Sequence, residues 1–201
     1  MLLQILTYTH HLTTMLFGIF LSAFFLGVKQ NKKNVCILLG GAAVSGLFFL
    51  ICNTVFGSLF TEAVYPIFVH LPLFLLLVFY YRFRWLPSII SIMTAYLCCQ
   101  FSNWAGIFAL SLSGLEWVYY LVRIIVTVAV FAFLSRYLCQ TTALLFAKSD
   151  RELYILGAMP FVYYVFDYST TKFSMLLYSG NKVVVEFLAF AMCISYVIFL
   201  F

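Results

Sequence analysis

Seven apolar runs of 17 to 25 residues follow one another along this chain, at 7–28, 35–56, 65–81, 86–110, 116–135, 153–170 and 183–201. A helix rises about 1.5 Å per residue, so about 20 apolar residues cross the hydrocarbon of a bilayer. Backbone polar groups in hydrocarbon must be satisfied within their own element, which selects helices over open sheets. Charge content closes the soluble alternative. Only 8% of the 201 residues are charged, against about 25% in a soluble domain. The expected fold is all-α: a polytopic transmembrane helical bundle of about seven spans (six to seven), forming one domain over 1–201. The run at 153–170 is the least defined, because the apolar stretch 173–178 extends it or forms an interfacial segment.

The polar breaks set the orientation. With the N-terminus outside, Lys29, Lys32, Lys33, Arg82, Arg84, Arg136, Lys148 and Arg151 all fall in cytoplasmic segments, eight of the eleven basic residues. Lys172 and Lys182 fall outside, and Arg123 lies within a span. Cytoplasmic loops collect Lys and Arg, so a multi-pass protein with an outer N-terminus and a cytoplasmic C-terminus is expected. The net charge of +5 is accounted for by these loops and implies no nucleic-acid partner. Nothing basic precedes the first run, which argues against a cleaved leader. The chain ends within an apolar run, "SYVIFLF", and is expected to be the front part of a longer protein.

Motifs for soluble chemistry are missing from the sequence. It has no phosphate-binding Gly-rich loop, HExxH or Walker-type lysine, and no Gly-x-Ser-x-Gly elbow. Cys36, Cys52, Cys98, Cys99, Cys139 and Cys193 lie in or beside apolar runs without a CxxC, as small hydrophobes do. No cofactor and no catalytic residue is expected. His10, His11 and His70 approach the outer face, but zinc wants three or four fixed ligands. Interfacial histidines account for them better, and no metal is expected.

What remains is a sparse set of polar residues within the spans. By helix rise, His70, Asn103, Arg123, Asp167 and Glu186 all fall in the outer third, one on each of five helices. Ionisable groups in a membrane cost several kcal/mol unless paired or solvated. Two arrangements meet that requirement. Either the five line an outward-facing, partly hydrated pocket, with Arg123 and Asp167 as an ion pair, or each reaches interfacial water by itself. The pocket reading makes these five the candidate ligand-binding residues.

Two local features shape the helices. In "YPIFVHLP", Pro66 and Pro72 remove backbone donors near a helix start, which makes His70 a rim residue on a shaped first turn. In "GGAAVSG", small residues four apart, such as Gly41 and Ser45 or Ala42 and Gly46, let helices approach closely; packing inside the bundle is expected. The segment 136–152 reads as a short helix on the inner surface or as an ordinary loop.

The stretch "HLPLFLLLVFYYRFRWLPSIISIMTAYLCCQFSNWAGI" resembles the membrane sensor region of Agr-type receptor histidine kinases of clostridial bacteria, which end in a GHKL-type ATP-binding domain. His70-Leu71-Pro72, the turn Arg82 to Trp85, the run Ala95 to Gln100 and Trp104 carry the likeness, over about a fifth of the chain. The resemblance implies a receptor in a bacterial plasma membrane that detects an extracellular ligand, such as a small peptide in quorum sensing. It implies a homodimer, and relay to a cytoplasmic kinase in two-component signal transduction. The phospho-acceptor helix and ATP-binding domain are not in this chain, so a response regulator would be a partner only through that further domain. A transporter or permease subunit is the alternative, and an intramembrane peptide-processing enzyme a third reading. Polar groups along the inner halves would favour transport; a Cys–His pair within hydrogen-bond reach would favour processing.

Overall fold

The computed structural model describes residues 2–57, 60–61, 64–172 and 182–200, with side-chain positions outside 168–172 and 182–188. The described residues are helical, without a strand. The helices are α1 (Leu2–Phe25), α2 (Lys32–Phe56), α3 (Pro66–Tyr80), α4 (Trp85–Ser113), α5 (Glu116–Tyr137), α6 (Cys139–Phe146), α7 (Asp150–Lys172) and α8 (Lys182–Leu200). Seven of them coincide with the seven apolar runs. The eighth settles the segment 136–152. Residues 139–146 form a helix that buries Cys139, Thr142 and Phe146 against α1 and α5, so it is tucked into the bundle instead of lying on its surface. The stretch 173–178 lies outside the described residues.

Ring and ion-pair contacts fix the helix directions. The ring of His10 on α1 meets Tyr120 at the start of α5, and Phe24 meets Phe131 further along. Arg84 on the turn before α4 reaches Asp150 at the start of α7, and Tyr96 reaches Asp167 near the end of α7. Phe101 packs on Phe190 and Thr94 on Tyr196, so α8 runs opposite to α4. Helix starts and ends thus alternate between two levels. The upper level holds Leu2, Ser113 and Glu116, and the lower level Phe25, Lys32, Trp85 and Asp150.

α4 is the centre, touching α1, α3, α5, α7 and α8. Among the described residues three helices, α2, α4 and α5, are long and apolar enough to cross a membrane. Of these α4 is the least apolar and the most enclosed: 67% of its apolar window is buried, against 22% for α2 and 11% for α5. Its buried face carries Ser88, Ser91, Thr94, Gln100 and Ser102. The exposed faces elsewhere carry large apolar side chains, among them Leu47, Phe48, Ile51, Ile125, Val128 and Phe161. A soluble monomer does the reverse, since contiguous apolar surface of this extent associates in water. Hydroxyls are met locally, by carbonyls one helical turn back: Thr7 on Leu3, Thr13 on Thr9, Ser22 on Gly18 and Ser88 on Arg84, at 2.6 to 2.9 Å. Such bonds let Ser and Thr sit in an apolar helix without stranding a donor.

The small residues of α2 do pack inward. Ala42 and Ser45 are buried, a methyl on Gly46 would touch Met15 Cε at 3.4 Å, and one on Gly41 would touch Leu76 Cδ2 at 3.7 Å. α3 departs from a regular helix, with π-type turns at Pro66–His70 and Leu76–Tyr80. Pro72 has no N–H, and its ring presses on the carbonyl four residues back. The turn before it widens, and the Leu71 N–H bonds Pro66 O, five residues back. At the lower level Arg84 clamps the turns together, donating to Asp150 Oδ1 at 2.8 Å and to the Lys148 carbonyl at 2.7 Å. Both side chains of that ion pair are half exposed, so it contributes under about 1 kcal/mol.

Candidate functional site

The four predicted site residues whose side chains are described fall into separate groups along the bundle. His70 and Asp167 belong to one group, Arg123 to another, and Asn103 stands between them on α4. Glu186 lies in α8, with its side chain outside the described residues.

The first group joins α3, α4 and α7. His70 Nδ1 is 2.9 Å from Tyr164 Oη, and Tyr96 Oη donates to Asp167 Oδ2 at 2.5 Å. Their rings close on one another. His70 lies 5.4, 5.8 and 5.6 Å from the rings of Tyr65, Tyr96 and Tyr164, and Tyr96 lies 4.9 Å from Tyr164. His70 is therefore an interhelical hydrogen-bonding partner, half-buried in tyrosines, and the rim position expected for it is corrected. The helix geometry gives the reason. The widened turn ahead of Pro72 turns His70 toward α7, and α3 begins below the upper end of α4. Tyr96 is about 16 Å of helix above Trp85 and about 26 Å below Ser113, so this group lies near mid-height.

The second group lies higher, between α1, α4 and α5. The Arg123 guanidinium donates through Nη1 to Tyr119 Oη and sits 5.1 Å from the Tyr119 ring centroid. Its stem lies across Gly106, where an added methyl would collide with Arg123 Cγ and Cδ. The Arg123–Asp167 ion pair is not formed. Among the described residues the ion pairs are Arg84–Asp150 and Lys148–Glu152. Arg123 faces α1 and the upper half of α4, whereas Asp167 faces Tyr96 about ten residues lower on α4. His10 is buried, at 4% exposure, with Nδ1 3.3 Å from Thr14 Oγ1, whereas His11 is exposed. Asn103 donates to Gln100 Oε1 at 3.3 Å, beside Trp104, whose ring stacks on Phe190 of α8 at 4.7 Å. Among the described residues no three His, Cys, Asp or Glu side chains stand together as metal ligands.

α7 carries a third feature, which the sequence reading overlooked. Pro160 lies inside the helix and has no N–H for the Leu156 carbonyl four residues back. Tyr196 of α8 supplies the missing donor, its hydroxyl reaching Leu156 O at 3.0 Å, with Thr94 Oγ1 of α4 3.4 Å away. Tyr196 and Thr94 are 2% and 0% exposed. One turn beyond Pro160 come Tyr163 and Tyr164, and then Asp167. The same helix thus holds the His70–Tyr96 group above the proline and the bond to the last helix below it. Below that bond a shallow apolar cavity of about 260 Å³ opens between α7 and α8, lined by Ile155, Leu156, Met159, Ser195, Tyr196 and Phe199. A proline within an otherwise helical run, and tyrosines at helical spacing around Asp167, were the available signals.

No protein-family model, curated protein or solved structure matches the chain.

Proposed function

We propose that this chain is a multi-pass membrane receptor domain, with seven spans, an outer N-terminus and a cytoplasmic C-terminus, whose last helix passes a signal inward. The observation that carries this reading is the double attachment of α7. His70 and Tyr96 hold it above Pro160, and Tyr196 of α8 holds it below. A proline that removes a helical bond leaves a natural hinge, so a ligand that reorders the upper group tilts one half of α7 against the other. The tilt strains or frees the Tyr196 bond and with it α8. Such a relay needs a ligand that binds the two arrangements with different affinity. The lower half of α4 supports a receptor over a transporter, since its polar residues Ser88, Ser91 and Thr94 are fully buried and the two serine hydroxyls are spent on carbonyls of their own helix. In the reading suggested by the Agr-type resemblance, the output is a GHKL-type kinase and the signal a small extracellular peptide.

The test joins a GHKL-type kinase module in helical register after Phe201 and measures autophosphorylation in proteoliposomes. His70→Ala and Tyr196→Phe should each change the basal rate several-fold, while Val128→Ala, on an exposed face of α5, leaves it unchanged. Equal rates for all four proteins would defeat the relay.

A further inference from the structure

Arg123 carries a buried guanidinium edge that no described residue accepts from. It projects from α5 about 10 Å of helix below Glu116, at the upper level. Its Nη1 is engaged by the Tyr119 hydroxyl, but its Nε–H is buried with no acceptor. Among the described residues no carboxylate stands within ion-pair distance of it. Its polar neighbours include His10 and Cys99, both within electrostatic reach, and Tyr120 lies beside His10. None of these is a carboxylate that could balance the guanidinium. Gly106 is part of the arrangement, because any side chain there would displace the Arg123 stem.

A buried charged donor without an acceptor costs more than a neutral one, and the planar fork of arginine matches an oxyanion with two parallel bonds. We propose that Arg123 binds an oxyanion, a carboxylate or phosphate, through its Nε edge, where its stem crosses Gly106 beside Tyr119. The inference names the ligand chemistry of the receptor's upper face and so rests on the receptor reading. Two sources share that chemistry: the carboxylate of a soluble ligand such as a peptide terminus, and the phosphate of a lipid headgroup.

The experiment uses the whole chain labelled with ¹⁵N-arginine in dodecyl maltoside micelles, which carry no oxyanion. The Arg123 Nε–H resonance is assigned by its loss in Arg123→Lys. Titration with N-acetylglycine should move it saturably downfield, and saturation transfer to N-acetylglycine should fall at least about tenfold in Arg123→Gln, the loss of a charge-assisted bidentate contact. A shift that appears only in phosphatidylglycerol nanodiscs supports the site with lipid phosphate as the source. No shift with N-acetylglycine, inorganic phosphate or phosphatidylglycerol in the wild-type chain overturns the proposal, whatever the variants do. The kinase chimera separates the two claims. A saturating shift with no change in kinase rate in any variant sinks the receptor reading and leaves the anion site. A relay that responds to Tyr196→Phe, with no anion shift, does the opposite.

Discussion

Tyr196→Phe removes one oxygen from a buried position and changes nothing else in shape. In an ordinary helix this would cost little, because the carbonyl it served would keep its own helical donor. Leu156 has no such donor, since the residue four places on is Pro160. The substitution therefore strands a buried carbonyl. An unmet buried acceptor costs about 1–3 kcal/mol, and side-chain bonds between membrane helices average about 0.6 kcal/mol with a maximum near 1.7. The absence of any competing helical bond places this one toward the upper end, at about 1.5 kcal/mol. The reasoning is tested by a double-mutant cycle with Pro160→Ala, which restores the N–H to position 160. In that background Tyr196→Phe should cost under about 0.5 kcal/mol, the residue of its 3.4 Å contact with Thr94; the coupling energy is then about 1 kcal/mol. Reversible unfolding of the purified chain by SDS in mixed micelles, followed by far-UV circular dichroism, supplies the four stabilities. An equal cost in both backgrounds would refute the idea that the tyrosine compensates for the proline.

Gly157→Ala should lower stability by about 1–3 kcal/mol, because the new methyl would lie 2.7 Å from Ile90 Cγ1 and Cδ1, where α7 crosses the buried face of α4. The penalty should shrink below about 0.5 kcal/mol when Ile90→Ala is already present, and an undiminished penalty would show that α7 and α4 are not so close. At the lower end Glu152 reaches back to Ser149, accepting from its hydroxyl at 2.9 Å and from its N–H at 3.2 Å. These bonds, the hydroxyl first, with Lys148 assisting, hold the Glu152 carboxyl below its ordinary range. A depressed carboxyl stabilises the folded form above its unfolded pKa and loses that contribution as pH falls through the lowered value. The Glu152 carboxyl ¹³C shift should accordingly titrate at lower pH than a free glutamate, and in Ser149→Ala it should return toward the ordinary range. A midpoint unchanged by Ser149→Ala would remove the hydroxyl as the cause.

Helix positions were legible because each run had to be both apolar and long, and the breaks around Lys29, Arg82 and Ser113 are strongly polar or rich in turn residues. The inward packing of Ala42, Ser45 and Gly46 could be read for a similar reason, since small residues four apart have one evident use. The site was less legible. Estimating depth from helix ends put His70, Arg123 and Asp167 on one level, whereas α3 starts low and α4 is long enough to hold two levels. Pairing by opposite charge then selected Arg123 and Asp167. Asp167 instead meets Tyr96, and Arg123 meets Tyr119. Hydroxyl partners of this kind are hard to single out in a chain with 14 tyrosines. Tyr196 was hidden for another reason. Its partner is a backbone carbonyl, and only Pro160, 36 positions earlier, marks that carbonyl as free.

A receptor of this kind needs its upper and lower levels on opposite faces of a membrane, which single-cysteine labelling measures directly. In a cysteine-free background, Gln4→Cys and Ser113→Cys should react with a membrane-impermeant maleimide in intact cells. Gln30→Cys and Lys148→Cys should react only after the cells are opened. Labelling of Gln30→Cys or Lys148→Cys from outside, or of all four positions alike, would contradict the orientation and the receptor reading built on it.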